Sequence, residues 1–171
     1  RVTVPVVCIG GIEQATLAQL CVFRSGFTLD ATEAVVQVPG KTPPLDCIHA
    51  LVDKSLVRTP GPEAASRFAL LESIAEYSGA KLMESGQAAS AAARHATWYA
   101  AQALVWADAF DASGEEGPLE RLAAERDNLE AATRRALEPG GPGLAVALAA
   151  QVGLEALAAV RGRSGEPSSL D

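Results

Sequence analysis

Positive charge is scarce in this sequence. Of 171 residues, 14 are Lys or Arg and 21 are Asp or Glu, a formal net charge of −7. The deficit runs along the whole chain: residues 1–80 carry 6 basic and 8 acidic side chains, residues 81–171 carry 8 and 13. Neither half offers the basic field that sequence-independent nucleic-acid binding needs. Aromatic residues are only 5% of the chain, so a core must be built mostly from aliphatic and small side chains. The cysteines, Cys8, Cys21 and Cys47, are an odd set with no C-x-x-C spacing. That excludes a disulfide framework and a zinc ribbon, and reads as buried reduced thiols in a cytoplasmic protein. His49 and His95 stand far apart, with no ligand-spaced Cys or carboxylate beside them. They read as packing residues, and no metal or cofactor is expected. No G-x-S-x-G occurs; Ser25-Gly26 and Ser85-Gly86 read as helix stops rather than nucleophile elbows. The longest apolar stretch, residues 144–160, is interrupted by Gln151, Gly153 and Glu155, so no membrane span is expected. Residues 2–9 are too short and lack the small-residue pattern of a signal peptide. The chain starts at Arg1 rather than Met and reads as a piece of something longer.

What the sequence does have is alanine and helical periodicity. Hydrophobic residues are 49% of the chain, enough to bury a core, and 29 of its 34 alanines lie from Ala64 onward. Small side chains on that scale predict closely packed helices in the second part. Residues 13–22 predict a short helix with Leu17, Leu20 and Cys21 on one face. A second covers about residues 30–36; Asp30-Ala31-Thr32-Glu33 has capping-box spacing, and Thr28 competes as the N-cap. Leu45, Ile48, Leu51, Val52 and Leu56 mark a third, begun near Pro43-Pro44 and capped by Asp46. Residues 55–58 and 67–70 then flank the turn-rich Thr59-Pro60-Gly61-Pro62 and predict a β-hairpin. Three helices followed by a hairpin is the order of a winged helix. A fourth helix over 71–84 turns Leu71, Ile74, Tyr77 or Ser78, and Leu82 inward.

The remainder predicts helices over 87–110, 119–137 and 144–160. The first carries an inward stripe of Ala88, Ala91, Ala92, His95, Trp98, Val105 and Ala109. The second buries Leu119, Leu122, Leu129, Ala132 and Ala136, with Glu120, Glu125, Arg134 and Arg135 outside. The expected fold is mainly α: a winged-helix domain with a small β-hairpin over residues 12–86, then antiparallel helical hairpins over 87–160, the start of an α-solenoid. Residues 1–11 match nothing, and 161–171 read as a flexible tail.

Four segments in order carry a resemblance: LCVFRSGFTLDATEAV (20–35), LVDKSLVR (51–58), RFALLESIAEY (67–77) and LAAERDNLEAA (122–132). Glu84-Ser85-Gly86, Arg94-His95 and Trp98-Tyr99 fit between them. Together, over about residues 13–150, they resemble bacterial STAND-class regulatory ATPases of the LuxR and AfsR-like kind. The resemblance implies a winged helix that packs against a preceding nucleotide-binding domain. It also implies tetratricopeptide-like repeats that sense a ligand or partner, and a separate output domain that often binds DNA.

The departures from that pattern set limits. Gly40-Lys41-Thr42 mimics the end of a phosphate loop, but Val35 stands where its first glycine belongs and Pro43-Pro44 follows it. Residues 1–11 lack the Trp-containing helix usual in the family. Where related ATPases carry Met-His-Asp, this chain has Leu70-Leu71-Glu72, so the nucleotide-sensing His is a leucine. Glu72 is the one site residue singled out: a helix-opening acid and a candidate switch contact to the nucleotide-binding domain.

The expected function is therefore a non-catalytic regulatory and interaction segment of a STAND-type regulator. Its expected partners are the nucleotide-binding domain and proteins met through the helical region. A DNA-binding winged-helix regulator is the alternative, disfavoured by charge and by Asp46 and Asp53 on the third helix. A truncated fragment without activity of its own is the second alternative.

Overall fold

A computed structural model describes residues 10–59 and 67–164, with side chains through residue 160. Among the described residues the chain is mainly α, with eight helices and three short strands. They form two compact units, one ending at His95 and the other beginning at Ala96; the division falls inside one helix.

The first unit begins with α1 (Gly11–Leu20), which buries Leu17 and Leu20. A turn through Ser25 and Gly26 leads into β1 (Phe27–Thr28). Gly26 is obligatory here. Its φ is +103°, and a Cβ would lie 2.8 Å from the Phe68 carbonyl oxygen. Next comes α2 (Leu29–Val35), capped by the Thr28 hydroxyl, which accepts from the Ala31 N–H at 3.2 Å. Thr28, not Asp30, is thus the cap, because only the residue in extended conformation can turn its side chain back onto the first free N–H groups.

α3 (Pro44–Asp53) starts with Pro44 at its first position, where the missing N–H costs nothing. Asp46 lies within the first turn and caps nothing, which corrects the expectation from sequence. Then β2 (Val57–Arg58) pairs antiparallel with β3 (Arg67–Leu70), with Val57 opposite Leu70. The expected turn at Pro60-Gly61-Pro62 lies outside the described residues. β1 adds to the other side of β3, Phe27 opposite Phe68, giving the order β1-β3-β2.

The sequence α1-β1-α2-α3-β2-β3 is a winged helix, and its hairpin is a three-stranded sheet. The added strand, β1, is two residues long, too short to show alternation in sequence. α4 (Glu72–Glu84) packs along α1, burying Ile74, Ser78 and Leu82. Leu17, Leu20, Phe27, Val35, Ile48, Leu51 and Val57 fill the core of this unit.

α5 (Ala88–Ser113) runs from the first unit into the second. Its buried residues are Ala91, His95, Ala96, Tyr99, Ala100, Ala103 and Ala107. The expected stripe is therefore corrected at Val105, which is 56% exposed, and at Ala109, also exposed. On a helix with alanine on every side, spacing alone does not orient the core face, which takes Tyr99 and His95 along with alanines and leaves Val105 out.

The second unit continues with α6 (Glu116–Ala124), α7 (Arg126–Ala136) and α8 (Leu144–Ser164). The single helix expected over 119–137 is two, broken at Glu125, whose backbone (φ −100°, ψ 9°) leaves the helical well. Leu122, Leu129, Ala132, Ala136, Ala147 and Ala150 are buried between them. Gly153 allows the close approach of α8: a Cβ there would meet Leu122 Cδ2 at 2.8 Å and Ala103 Cβ at 3.0 Å.

Candidate functional site

On α3, the helix that reads DNA in winged-helix regulators, Cys47, Ile48 and Leu51 point into the core. The solvent face carries Asp46, His49 and Asp53, all exposed. Lys54, just past its end, is paired with Glu13 of α1 at 2.5 Å. The Lys54 ammonium holds the Glu13 carboxyl below the usual carboxylate range, against a smaller opposing effect of burial, and the Gly10 N–H adds to the lowering. The face that would meet phosphates thus presents two carboxylates, and its nearest cation already has a carboxylate partner.

Glu72 is the first residue of α4, directly after β3, and is exposed. It complements the positive end of the helix, and its carboxylate is turned to solvent. Leu70 and Leu71, just before it, are half-buried. Gly40-Lys41-Thr42 forms a turn with Gly40 at φ +82°, and Lys41 is exposed. The helix behind it opens on Pro44, so the first N–H that a phosphate would meet is missing.

His49 is exposed on α3, whereas His95 is buried with its ring 5.5 Å from that of Phe23. Cys47 is buried and Cys21 half-buried; Cys8 lies outside the described residues. Among the described residues no group of three or more His, Cys, Asp or Glu is placed to hold a metal ion, and no helix is long and apolar enough to cross a membrane. A cleft of about 370 Å³ between α1 and α4 is lined by Gln14, Ala15, Lys81 and Glu84, among others. Its two charges neutralise each other, Lys81 Nζ lying 2.7 Å from Glu84.

Two polar arrangements went unseen in the sequence, one buried and one part-buried. Glu125, expected outside, is 3% exposed. Its carboxylate accepts from the Tyr99 hydroxyl at 3.0 Å and from Asn128 Nδ2 at 2.7 Å, at the start of α7, where a negative charge suits the helix dipole. The available signal was its place on the stripe of Leu122, Leu129, Ala132 and Ala136. The other arrangement joins Gln19, Gln37 and Arg94. Gln19 is 1% exposed and makes a two-point pairing with the Gln37 backbone, donating to its carbonyl and accepting from its N–H, each at 2.9 Å. α8, in contrast, turns Leu144, Leu148 and Val152 to solvent.

No family model and no solved structure matches the chain. Curated proteins do match. Proteins of Mycobacterium bovis and Mycobacterium tuberculosis, whose names provisionally assign them as HTH-type transcriptional regulators, are 35% identical to it over 130 residues. The match takes in 75% of this chain and 14% of theirs, so the chain corresponds to about one-seventh of the relatives it matches.

Proposed function

We propose that this chain is a non-catalytic segment of a transcriptional regulator, coupling a STAND-type nucleotide-binding domain to a helical sensor region in the cytoplasm. The observation that carries the reading is the pairing of a winged helix with a following all-helical unit, on segments that resemble that class in the same order. The regulator names of the mycobacterial relatives, and the small share of their length that this chain matches, support a part within a larger regulatory protein. In this reading the winged helix docks on the nucleotide-binding domain with Glu72 at the contact. The helical unit meets protein partners, for which the exposed Leu144, Leu148 and Val152 suit it better than they would suit nucleic acid. The chain itself binds no nucleotide.

The test is calorimetric titration of the chain against an isolated STAND nucleotide-binding domain in its ADP and ATP states. A micromolar complex that discriminates between the states and weakens in Glu72→Lys is expected. Absence of binding to both states sinks the reading. The second reading, a DNA-binding winged helix, draws on the HTH designation of the relatives. The acidic face of α3 opposes it. Fluorescence polarisation with promoter DNA separates the two: a nanomolar complex with a steep salt slope would establish the DNA reader.

A further inference from the structure

The first two turns of α5 belong to the winged-helix unit, and the rest of the same helix belongs to the other unit. Besides the buried Ala91 and His95, polar contacts fasten those turns. From α5, Arg94 Nε donates to the carbonyl of Val35, the last residue of α2, at 2.7 Å. Its Nη2 donates to Gln19 Oε1 on α1 at 2.8 Å, and its Nη1 to the Ser90 hydroxyl, one turn back on α5, at 2.6 Å. Gln19 in turn holds both backbone groups of Gln37. One guanidinium and one carboxamide therefore satisfy the carbonyls of residues 35 and 37 and the N–H of 37, and tie α1, the end of α2 and α5 into one network.

The chemistry of this network favours all-or-none behaviour. Every acceptor around Arg94 is neutral, and burial lowers its pKa without an opposing carboxylate. A cation held this way depends on the geometry of its hydrogen bonds, which fail steeply with misalignment. Gln19 Oε1 accepts from both the Arg94 and Gln37 donors, so both contacts depend on one orientation of the Gln19 carboxamide. Residues 35–37 open the connection that leads to α3.

We propose that Arg94 is a latch, making the docking of residues 88–95 on the winged helix and the conformation of residues 35–37 a single two-state event. A displacement carried along α5 then reaches the connection into α3 through Val35, Gln19 and Gln37. This deepens the coupling role proposed above and rests on it for its use in signalling. The latch itself needs no partner. The competing account is that residues 88–95 are held by the buried Ala91 and by the ring contact of His95 with Phe23 alone, with Arg94 incidental.

The experiment is NMR of the full chain. Exchange of the Gln37 amide reports the 35–37 segment, and the Phe23–His95 ring cross-peak reports docking. Arg94→Lys keeps the charge but cannot reach Val35, Gln19 and Ser90 at once. It is expected to speed Gln37 exchange at least tenfold and to weaken the ring cross-peak, while the amides of Leu17 and Ile74 keep their protection. Ser90→Ala, a milder change that removes only the hydroxyl steadying Arg94, should move both reporters in the same direction by about threefold. An unchanged Gln37 amide in both variants overturns the latch, as does fast Gln37 exchange with an intact ring contact. Should Arg94→Lys unfold the unit, Ser90→Ala decides alone. No partner, nucleotide or DNA is present, so a working latch beside a failed titration with the nucleotide-binding domain would refute the coupling role and leave the latch standing.

Discussion

Replacing Phe27 with alanine tests the packing of the winged helix most directly. Phe27 is 1% exposed. Its ring stacks on Phe23, centroids 5.0 Å apart, and on its cross-strand partner Phe68 at 5.9 Å. Truncating a fully buried Phe costs about 3–5 kcal/mol, transfer and cavity together. Lost ring–ring contact accounts for about 0.5–1.5 kcal/mol beyond area burial. Against a domain stability of about 5–15 kcal/mol this is a large fraction. The assay is urea denaturation followed by far-UV circular dichroism. With a slope of about 1–3 kcal/mol per molar urea, the midpoint of Phe27→Ala should fall by about 2 M. Phe27→Leu, which keeps an apolar side chain in place, should recover most of the loss. Arg58→Ala is the control: Arg58 is exposed on β2 and should cost within about 0.5 kcal/mol. If Phe27→Ala melts like the parent while Arg58→Ala collapses, the aromatic stack does not hold this unit together.

Three further outcomes follow from the geometry. Tyr99→Phe removes a donor from the buried Glu125 carboxylate and should cost about 1–3 kcal/mol; paired with Glu125→Gln in a double-mutant cycle of urea melts, the losses should be clearly less than additive. Gly153→Ala gains about 1 kcal/mol of helix propensity but forces a methyl against Leu122 and Ala103 in a filled core, so thermal melts should show a net loss of about 1 kcal/mol. Glu13, whose pKa is lowered chiefly by the hydrogen bond from Lys54, lends stability that is complete above its ordinary value of 4.5 and is lost as pH falls through its lower folded value. Glu13→Gln should flatten stability over that acidic window by no more than about 1 kcal/mol, in melts run from pH 3 to 6.

The winged helix was legible because its signals are local. Leu17 and Leu20, then Ile48 and Leu51, fall at helical spacing and are buried as the pattern requires. The hairpin strands flank a turn-rich stretch that could hardly be anything else. The α5 face was not legible, for a physical reason. Alanine occupies every side of that helix, so periodicity carries little orientation. The large residues drew Val105 inward, when close helix packing leaves it exposed. The break at Glu125 lacked Gly or Pro, and nothing in 119–137 marked a stop.

Glu125 shows where such reading ends. A glutamate beside Arg126 and Asp127 reads as a solvated face, because a carboxylate is costly to bury without donors. Of its donors, Asn128 is three residues away, and Tyr99 comes from a different helix, 26 residues earlier. The same holds for Arg94, whose partner Gln19 lies 75 residues back. Apolar burial repeats with the helix and can be read from spacing. A polar network depends on which distant groups converge, so it becomes visible only in three dimensions. Replacing such a network with well-packed apolar groups need not cost stability. What these two supply is fixed geometry. One sets the junction of α6 with α7, and the other sets the start of α5 on the winged helix. Both fix one arrangement of neighbouring elements against its alternatives.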